Sequence, residues 1–311
     1  MSLKKSHISR RDILKSAAFA VAAPLLSRRS SAEEIPVKIP EKAQGAHRIL
    51  DCNILLDLPE DRPKPYGWGH RRDLCIGVIK SHKPDIVCME EVGRGQNEDF
   101  IKAFPEMEVY GYKDAYVDGN PPRFQAAKNV IMYSKARYEF VSSGAYWLSL
   151  TPEVAGTRMP GAGLPRHVTW VRLKDIPTGR EFRVLATHWD LKEPLRLLGA
   201  KIIAKESEAY SLTFPQILCG DFNSPRTSPE HLVLADAGWF DTYEIVHGLG
   251  EAGRTGNGFE SPAEHARELL PRIDFIFFRG NVDPIAAEII RDSKNGLFPS
   301  DHFFVSADVR I

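Results

Sequence analysis

One stretch constrains this chain more than any other: Gln216-Ile-Leu-Cys-Gly-Asp-Phe-Asn-Ser224. Four residues of buried-strand character run into Gly220, and Asp221 and Asn223 follow at the strand's end. Side chains on an extended segment alternate with period two, so residues two apart point the same way. The spacing predicts a carboxylate and a carboxamide aimed together, able to hold and polarise one water molecule. The same residue types also build ordinary turns. What decides between the two is the company they keep.

The chain has 311 residues, enough for one large domain with a substantial core. Acidic and basic residues balance at 41 each, but unevenly along the sequence. The first 32 residues hold seven Lys/Arg and one Asp, leaving 34 basic against 40 acidic residues, a net of −6, in the remainder. That remainder lacks the basic surplus of a general nucleic-acid binder. Its basic leader has the paired arginines of Ser9-Arg10-Arg11-Asp12-Ile13-Leu14-Lys15, then a short apolar run from Ser16 to Leu26. This resembles a twin-arginine export signal, with small residues for cleavage at Ser30-Ser31-Ala32. Residues 1–32 are therefore predicted to be a signal peptide and 33–45 a linker, with a periplasmic or extracellular destination. No later segment is long and apolar enough to span a membrane. Cys52, Cys75, Cys88 and Cys219 fit no zinc spacing, and three of them lie in apolar strand-like runs. Buried free thiols are the expectation.

Within residues 46–311, further strands deliver polar residues at or near their ends. His47 to Leu55 alternates as a strand and carries Asn53. A helix is predicted from His70 to Ser81, stopped by Pro84, and the strand Asp85–Val92 ends in Glu90 and Glu91. Because an unpaired buried carboxylate is costly, both glutamates are expected at an exposed strand end. Strand-like runs follow at Glu108–Tyr112, Asn129–Ser134 and Tyr138–Leu148. A hairpin is predicted from His167–Leu173 and Phe182–Thr187, ending in Thr187-His188-Trp189-Asp190. Helices are predicted at Leu195–Tyr210 and Pro229–Ala237, and the strand Arg272–Phe278 carries the lone acid Asp274. Ser300-Asp301-His302 leads into the last strand, Phe303–Val309. Hairpins mixed with helices favour a layered α/β domain over a doubly wound parallel sheet.

Taken in order, Asn53, Glu91, His188, Asp221 with Asn223, Asp274, and Asp301 with His302 resemble the endonuclease/exonuclease/phosphatase superfamily. That is the fold of DNase I-like nucleases, apurinic endonucleases, inositol polyphosphate phosphatases and bacterial sphingomyelinases. Gly-Asp-Phe-Asn with a downstream Ser-Asp-His is the most specific part, supported by Ile273-Asp-Phe-Ile276 and Thr187-His-Trp-Asp190. Met89-Glu-Glu-Val92 stands where the family usually has Leu-Gln-Glu-Val, which aligns Glu91 with the metal carboxylate and puts Glu90 in the Gln slot. The resemblance implies an α/β four-layer sandwich, two packed and mostly antiparallel β-sheets flanked by helices. It also implies a metal-dependent phosphoric ester hydrolase.

A phosphate ester is anionic, so a divalent cation must offset its charge before water can attack. Oxygen ligands from Asn53, Glu91 and Asp301 suit Mg²⁺ or Mn²⁺. Asp221 would orient or deprotonate the water beside Asn223, while His188 and His302 would donate to the non-bridging oxygens. Asp274 would fix the tautomer of His302 and raise its pKa. Where nuclease-like members carry a Glu that braces the first histidine, this chain reads Phe124-Gln-Ala-Ala-Lys-Asn129, leaving Gln125, Asn129 or Asp190 as braces. Arg166 and Arg254 are either anion contacts or solvated loop residues. The other histidines are read as surface or packing residues. The substrate is left open among a lipid headgroup, a sugar or inositol phosphate and nucleic acid, for a chain expected to be monomeric. The rival from another class is a binding protein that keeps the sandwich without turnover.

Overall fold

The computed structural model describes residues 41–111, 127–250, 253–260 and 270–311. The export signal and most of the linker lie outside these, as does Gln125. Along the chain the elements are β1 (His47–Asn53), α1 (Trp68–Ser81), β2 (Ile86–Val92), α2 (Arg94–Ala103), β3 (Met107–Tyr110) and β4 (Lys128–Ser134). Then come β5 (Tyr138–Trp147), β6 (His167–Asp175), β7 (Glu181–His188), α3 (Glu193–Ser207), β8 (Gln216–Asp221) and α4 (Pro229–Asp236). The chain finishes with β9 (Phe240–Asp241), α5 (Thr242–His247), β10 (Asp274–Arg279), β11 (Asp283–Ile290) and β12 (Phe304–Arg310).

The strands form two six-stranded sheets, ordered β11-β12-β1-β2-β4-β3 and β5-β6-β7-β8-β10-β9. Pairing is antiparallel except at the centre of each sheet, where β1 runs parallel to β2 and β7 parallel to β8. The expected layered sandwich is what forms. Ile49, Cys88, Val184, Cys219, Ile276 and Val305 fill the space between the sheets. Leu50, Val87 and Met89 face outward onto residues of α1 and α2, and Leu185, Leu218 and Phe275 onto residues of α3 and α4. Because the central strands are covered on both faces, they read as largely apolar runs broken by a few paired or site-facing polar residues.

Several elements were not anticipated. Helix α2 buries Gln96 and Asn97 beside Phe100, so its apolar signal is thin. Strand β11 carries Pro284 at the edge of its sheet, the place where a missing N–H is tolerated, and a register shift between Pro284 and Ala286 breaks its alternation. Helix α3 begins two residues earlier than the periodicity suggests and ends at Ser207. All four cysteines are buried and unbonded. Among the described residues, no helix is long and apolar enough to cross a membrane.

Candidate active site

Strand alternation explains where the polar side chains go. Ile49 faces the opposite sheet while Leu50 and Cys52 face the helices, so Asp51 and Asn53 share the inter-sheet face with Ile49. By the same count Glu90 follows Cys88, His188 follows Ala186, Asp221 follows Cys219, and Asp274 precedes Ile276, all toward the opposite sheet. The parallel centres put the C-terminal ends of β1, β2, β7 and β8 at one lip. Strands β10 and β12 run the other way, so their starts, with Asp274 and the preceding His302, reach the same lip.

Two backbone features refine the placement. The pairing of β2 with β4 shifts register between Met89 and Val92, and Glu91 within that bulge has φ +59. The bulge takes Glu91 out of alternation, so that its carboxylate accepts from the Leu56 N–H (3.2 Å) and from Asn53 Nδ2 (3.4 Å). Gly220 lies where a Cβ would sit 2.0 Å from the Thr187 carbonyl oxygen of β7. Only glycine permits that approach, which sets Asp221 directly opposite His188 in the register.

At the lip one carboxylate oxygen is the meeting point. Asp221 Oδ2 accepts from Asn53 Nδ2 at 3.1 Å, lies 3.3 Å from His188 Nε2, and lies 3.9 Å from His302 Nε2. Its Oδ1 accepts from the Asn223 N–H at 2.8 Å. Asn53, His188, Asp221 and Asp274 are buried, whereas Glu91, Asn223, Asp301 and His302 are partly open. His302 Nδ1 lies 2.9 and 3.1 Å from the two Asp274 oxygens. Burial works against charge on His302, but the carboxylates of Asp274, Asp221 and Asp301 outweigh it and hold the imidazole pKa well above its ordinary value. His302 is thus biased toward its charged form, with Nε2 on the side of Asp221.

Some expectations need correction. Asn223 is not on an extended segment: β8 ends at Asp221, and Asn223 adopts the left-handed conformation with φ +49. Its amide donates to the Trp189 carbonyl at 3.0 Å, tying the exit of β8 to that of β7. Glu90 is fully buried rather than exposed, because alternation from Cys88 turns it toward the opposite sheet. It lies near Asp51, also buried, and neither carboxyl has a hydrogen-bond partner among the described residues. Desolvation first, then neighbouring carboxylates (Asp274 for Asp51, Asp51 for Glu90), push both pKa values well above the usual range. Asn129 does not brace His188, since its amide donates to the His167 carbonyl. Asp190 accepts from the Lys192 N–H just before α3. Arg254 is buried and engaged by Glu260 and the Gly256 carbonyl, so it is no solvated loop residue.

The ligand atoms of Asp221, Asp274 and His302 lie within 4.8 Å of one another. That group mixes one imidazole with two carboxylates. A hard divalent ion prefers oxygen ligands, which Glu91 offers and which Asn53 could offer through Oδ1, here accepting from the Leu55 N–H at 3.1 Å. Asp301, whose carboxylate accepts from Ser300 Oγ at 3.2 Å, is one residue from His302 at the same lip.

Sequence reasoning passed over Arg71 on α1. Its guanidinium is only 1% exposed, yet it donates to the carbonyls of Ile54, Leu55 (2.6 Å), Tyr66 (3.0 Å) and Pro299 (3.0 Å). These carbonyls flank Asn53 on one loop and Ser300-Asp301-His302 on the other. Because its partners are backbone groups, no side-chain motif announces it.

The sequence profile of the Endonuclease/Exonuclease/phosphatase family matches residues 52–302, and the chain belongs to that family. Among similar solved structures is an endonuclease/exonuclease/phosphatase from Bacteroides vulgatus, 28% identical with a TM-score of 0.75, covering 86% of this chain and 99% of that one. A mannosyl-6-phosphatase of Bacteroides thetaiotaomicron is 25% identical with a TM-score of 0.74, over 85% of this chain and all of its own. The CCR4-Not complex 3'-5'-exoribonuclease subunit Ccr4 of Schizosaccharomyces pombe is 22% identical, and the match takes in 78% of this chain but only 45% of Ccr4. A phosphoester hydrolase is the class that family and site define.

Replacing Arg71 by Met should strand four carbonyls and cost at least about 3 kcal/mol of unfolding free energy. Arg71→Lys, which keeps the charge but not the fork, should lose less. Urea denaturation of the three proteins checks the order.

Proposed function

We propose that this protein is an exported, divalent-metal-dependent phosphoesterase that hydrolyses a small phosphate ester by direct attack of water. The observation that carries the reading is the convergence on Asp221 Oδ2 of Asn53 from one sheet with His188 from the other and His302 from the lip. Glu91, Asn53 and Asp301 would hold Mg²⁺ or Mn²⁺. When bound, such an ion neutralises phosphoryl charge and stabilises the leaving oxygen.

The chain's own residues do the rest. Asp221 takes the proton of the attacking water at Oδ2, while the Asn223 N–H fixes Oδ1 and so the plane of the carboxylate. His302 donates from Nε2 to a non-bridging oxygen, and Asp274 at Nδ1 keeps that tautomer and stabilises the imidazolium. His188 supplies a second donor from the opposite sheet. Each contact strengthens as negative charge builds on the phosphoryl oxygens.

Two observations support a small sugar phosphate as substrate. Past residue 32 the chain is acidic, which disfavours a polyanion, and the mannosyl-6-phosphatase likeness extends over all of that protein. The Ccr4 likeness favours the second reading, a nuclease. Asp221→Ala and His302→Ala should each lower metal-dependent turnover by on the order of 100-fold or more while leaving the fold intact. Hydrolysis assays on a sugar phosphate, an aryl phosphodiester and single-stranded RNA, alongside circular dichroism, check this. Wild-type turnover in either variant removes the mechanism, and RNA cleavage without sugar phosphate hydrolysis selects the second reading.

Export is proposed on the Arg10-Arg11 pair and the apolar run behind it. Changing both arginines to Lys should leave the precursor in the cytoplasmic fraction. An unchanged distribution on cell fractionation contradicts export by this route.

A further inference from the structure

Two aromatic rings stand on the loops that frame the lip and take no part in the chemistry above. Tyr66 and Phe259, each half-exposed, stack with centroids 4.8 Å apart and planes 15° from parallel. They come from segments nearly 200 positions apart. Both are fastened to backbone that presents site residues. The Tyr66 carbonyl is held by Arg71, which also grips the carbonyls just after Asn53 and just before Ser300. On the other side, the N–H groups of Asn257 and Gly258 donate to the Asp301 carbonyl at 2.6 and 2.9 Å. The Asn257 amide donates to the Ser300 carbonyl at 3.1 Å and accepts from the Phe259 N–H at 2.8 Å.

Phe259 also has φ +61. A bulky residue in that region carries strain, and strained residues of this kind cluster at ligand clamps. A ring placed only for packing would be buried in return, and this one is left half-open. Tyr66 carries the Lys64 ammonium 5.5 Å from its ring centre. Among the described residues, Phe259 stacks on no other ring and carries no cation. The pair therefore offers one uncommitted aromatic face beside the metal-side residues.

We propose that Tyr66 and Phe259 form the wall on which the ring of the leaving group lies, and that this ring is the apolar C–H face of a sugar whose phosphate reaches Asp221 and His302. The assignment rests on the phosphoesterase reading and adds to it the part of the substrate that is recognised. A flat π-face contributes burial area at low entropy cost. It acts on the group carrying the phosphate, not on the phosphate, so its loss should discriminate among esters.

The test compares kcat/KM of the full chain in Mg²⁺ for a hexose 6-phosphate, for glycerol 3-phosphate, which has no ring, and for a nucleoside 5'-monophosphate. Phe259→Gly removes the ring and relieves the φ strain, so it is not expected to unfold the loop. Tyr66→Leu is the second variant, and Phe259→Trp the conservative one. Phe259→Gly and Tyr66→Leu should lower kcat/KM for the hexose phosphate by on the order of 10- to 100-fold, mainly through KM. The glycerol phosphate value should stay within about twofold, since it has nothing to stack, and Phe259→Trp should restore the hexose value. Equal losses on both esters, or none, overturn the wall. A selective loss on the nucleotide alone overturns the sugar assignment. If the wild type turns over none of the three, the phosphoesterase reading fails, and calorimetric titration with the same ligands decides the wall separately. It then stands only if the hexose phosphate binds the wild type and binds Phe259→Gly at least tenfold more weakly.

Discussion

The hydrogen bond from Asn53 Nδ2 to Asp221 Oδ2 joins the two sheets at the lip where both present site residues. Asp221 is only 1% exposed, and a carboxylate out of water is tolerable only with donors around it. Its donors come from both halves of the sandwich, the Asn53 amide from β1 and the Asn223 N–H beyond β8, with His188 Nε2 3.3 Å away at the end of β7. The sheets must therefore pack in a single register for the charge to be satisfied. That requirement ties the apolar core between them to the chemistry at its edge.

Below this contact the polarity continues inward through Asp51 and Glu90, with Asp274 alongside. Several carboxyls in one low-dielectric space cannot all be ionised, since each raises the cost of charging the next. The directions fit that argument: Asp51 and Glu90, both buried with no hydrogen-bond partner among the described residues, are driven toward the protonated form, while His302 at the mouth is driven toward the charged form. Arg71 adds a fixed positive charge whose electrostatic neighbours include Asp301 and Glu91. The site is thus acidic in composition but partly neutralised by design of its surroundings. A divalent cation at the Glu91 side would complete that balance.

Much of this was legible in the residues because strand alternation is a local rule. Gly-Asp-Phe-Asn, Ile-Asp-Phe-Ile and Thr-His-Trp-Asp each sit at a strand end and deliver Asp221, Asp274 and His188 where the count of two puts them. The rule failed where the backbone leaves the strand. Asn223 was expected beside Asp221 but lies in the left-handed region, and at the end of β2 the bulge separates Glu91 from Glu90, which alternation turns inward. Two further features had no local signal. Arg71 acts through carbonyls, which every residue has. Tyr66 and Phe259 meet only after folding, at a separation no periodicity spans. The edge strand β11 and the polar helix α2 escaped because neither buries a full apolar face.

The claim on which the account turns is that a hard cation binds on the oxygen side at Glu91, and not among Asp221, Asp274 and His302. Equilibrium Mn²⁺ binding followed by electron paramagnetic resonance tests it without any substrate. Glu91→Gln should weaken binding by on the order of tenfold or more, and Asp274→Asn should leave it near the wild-type value. Wild-type affinity in Glu91→Gln together with loss in Asp274→Asn would contradict it.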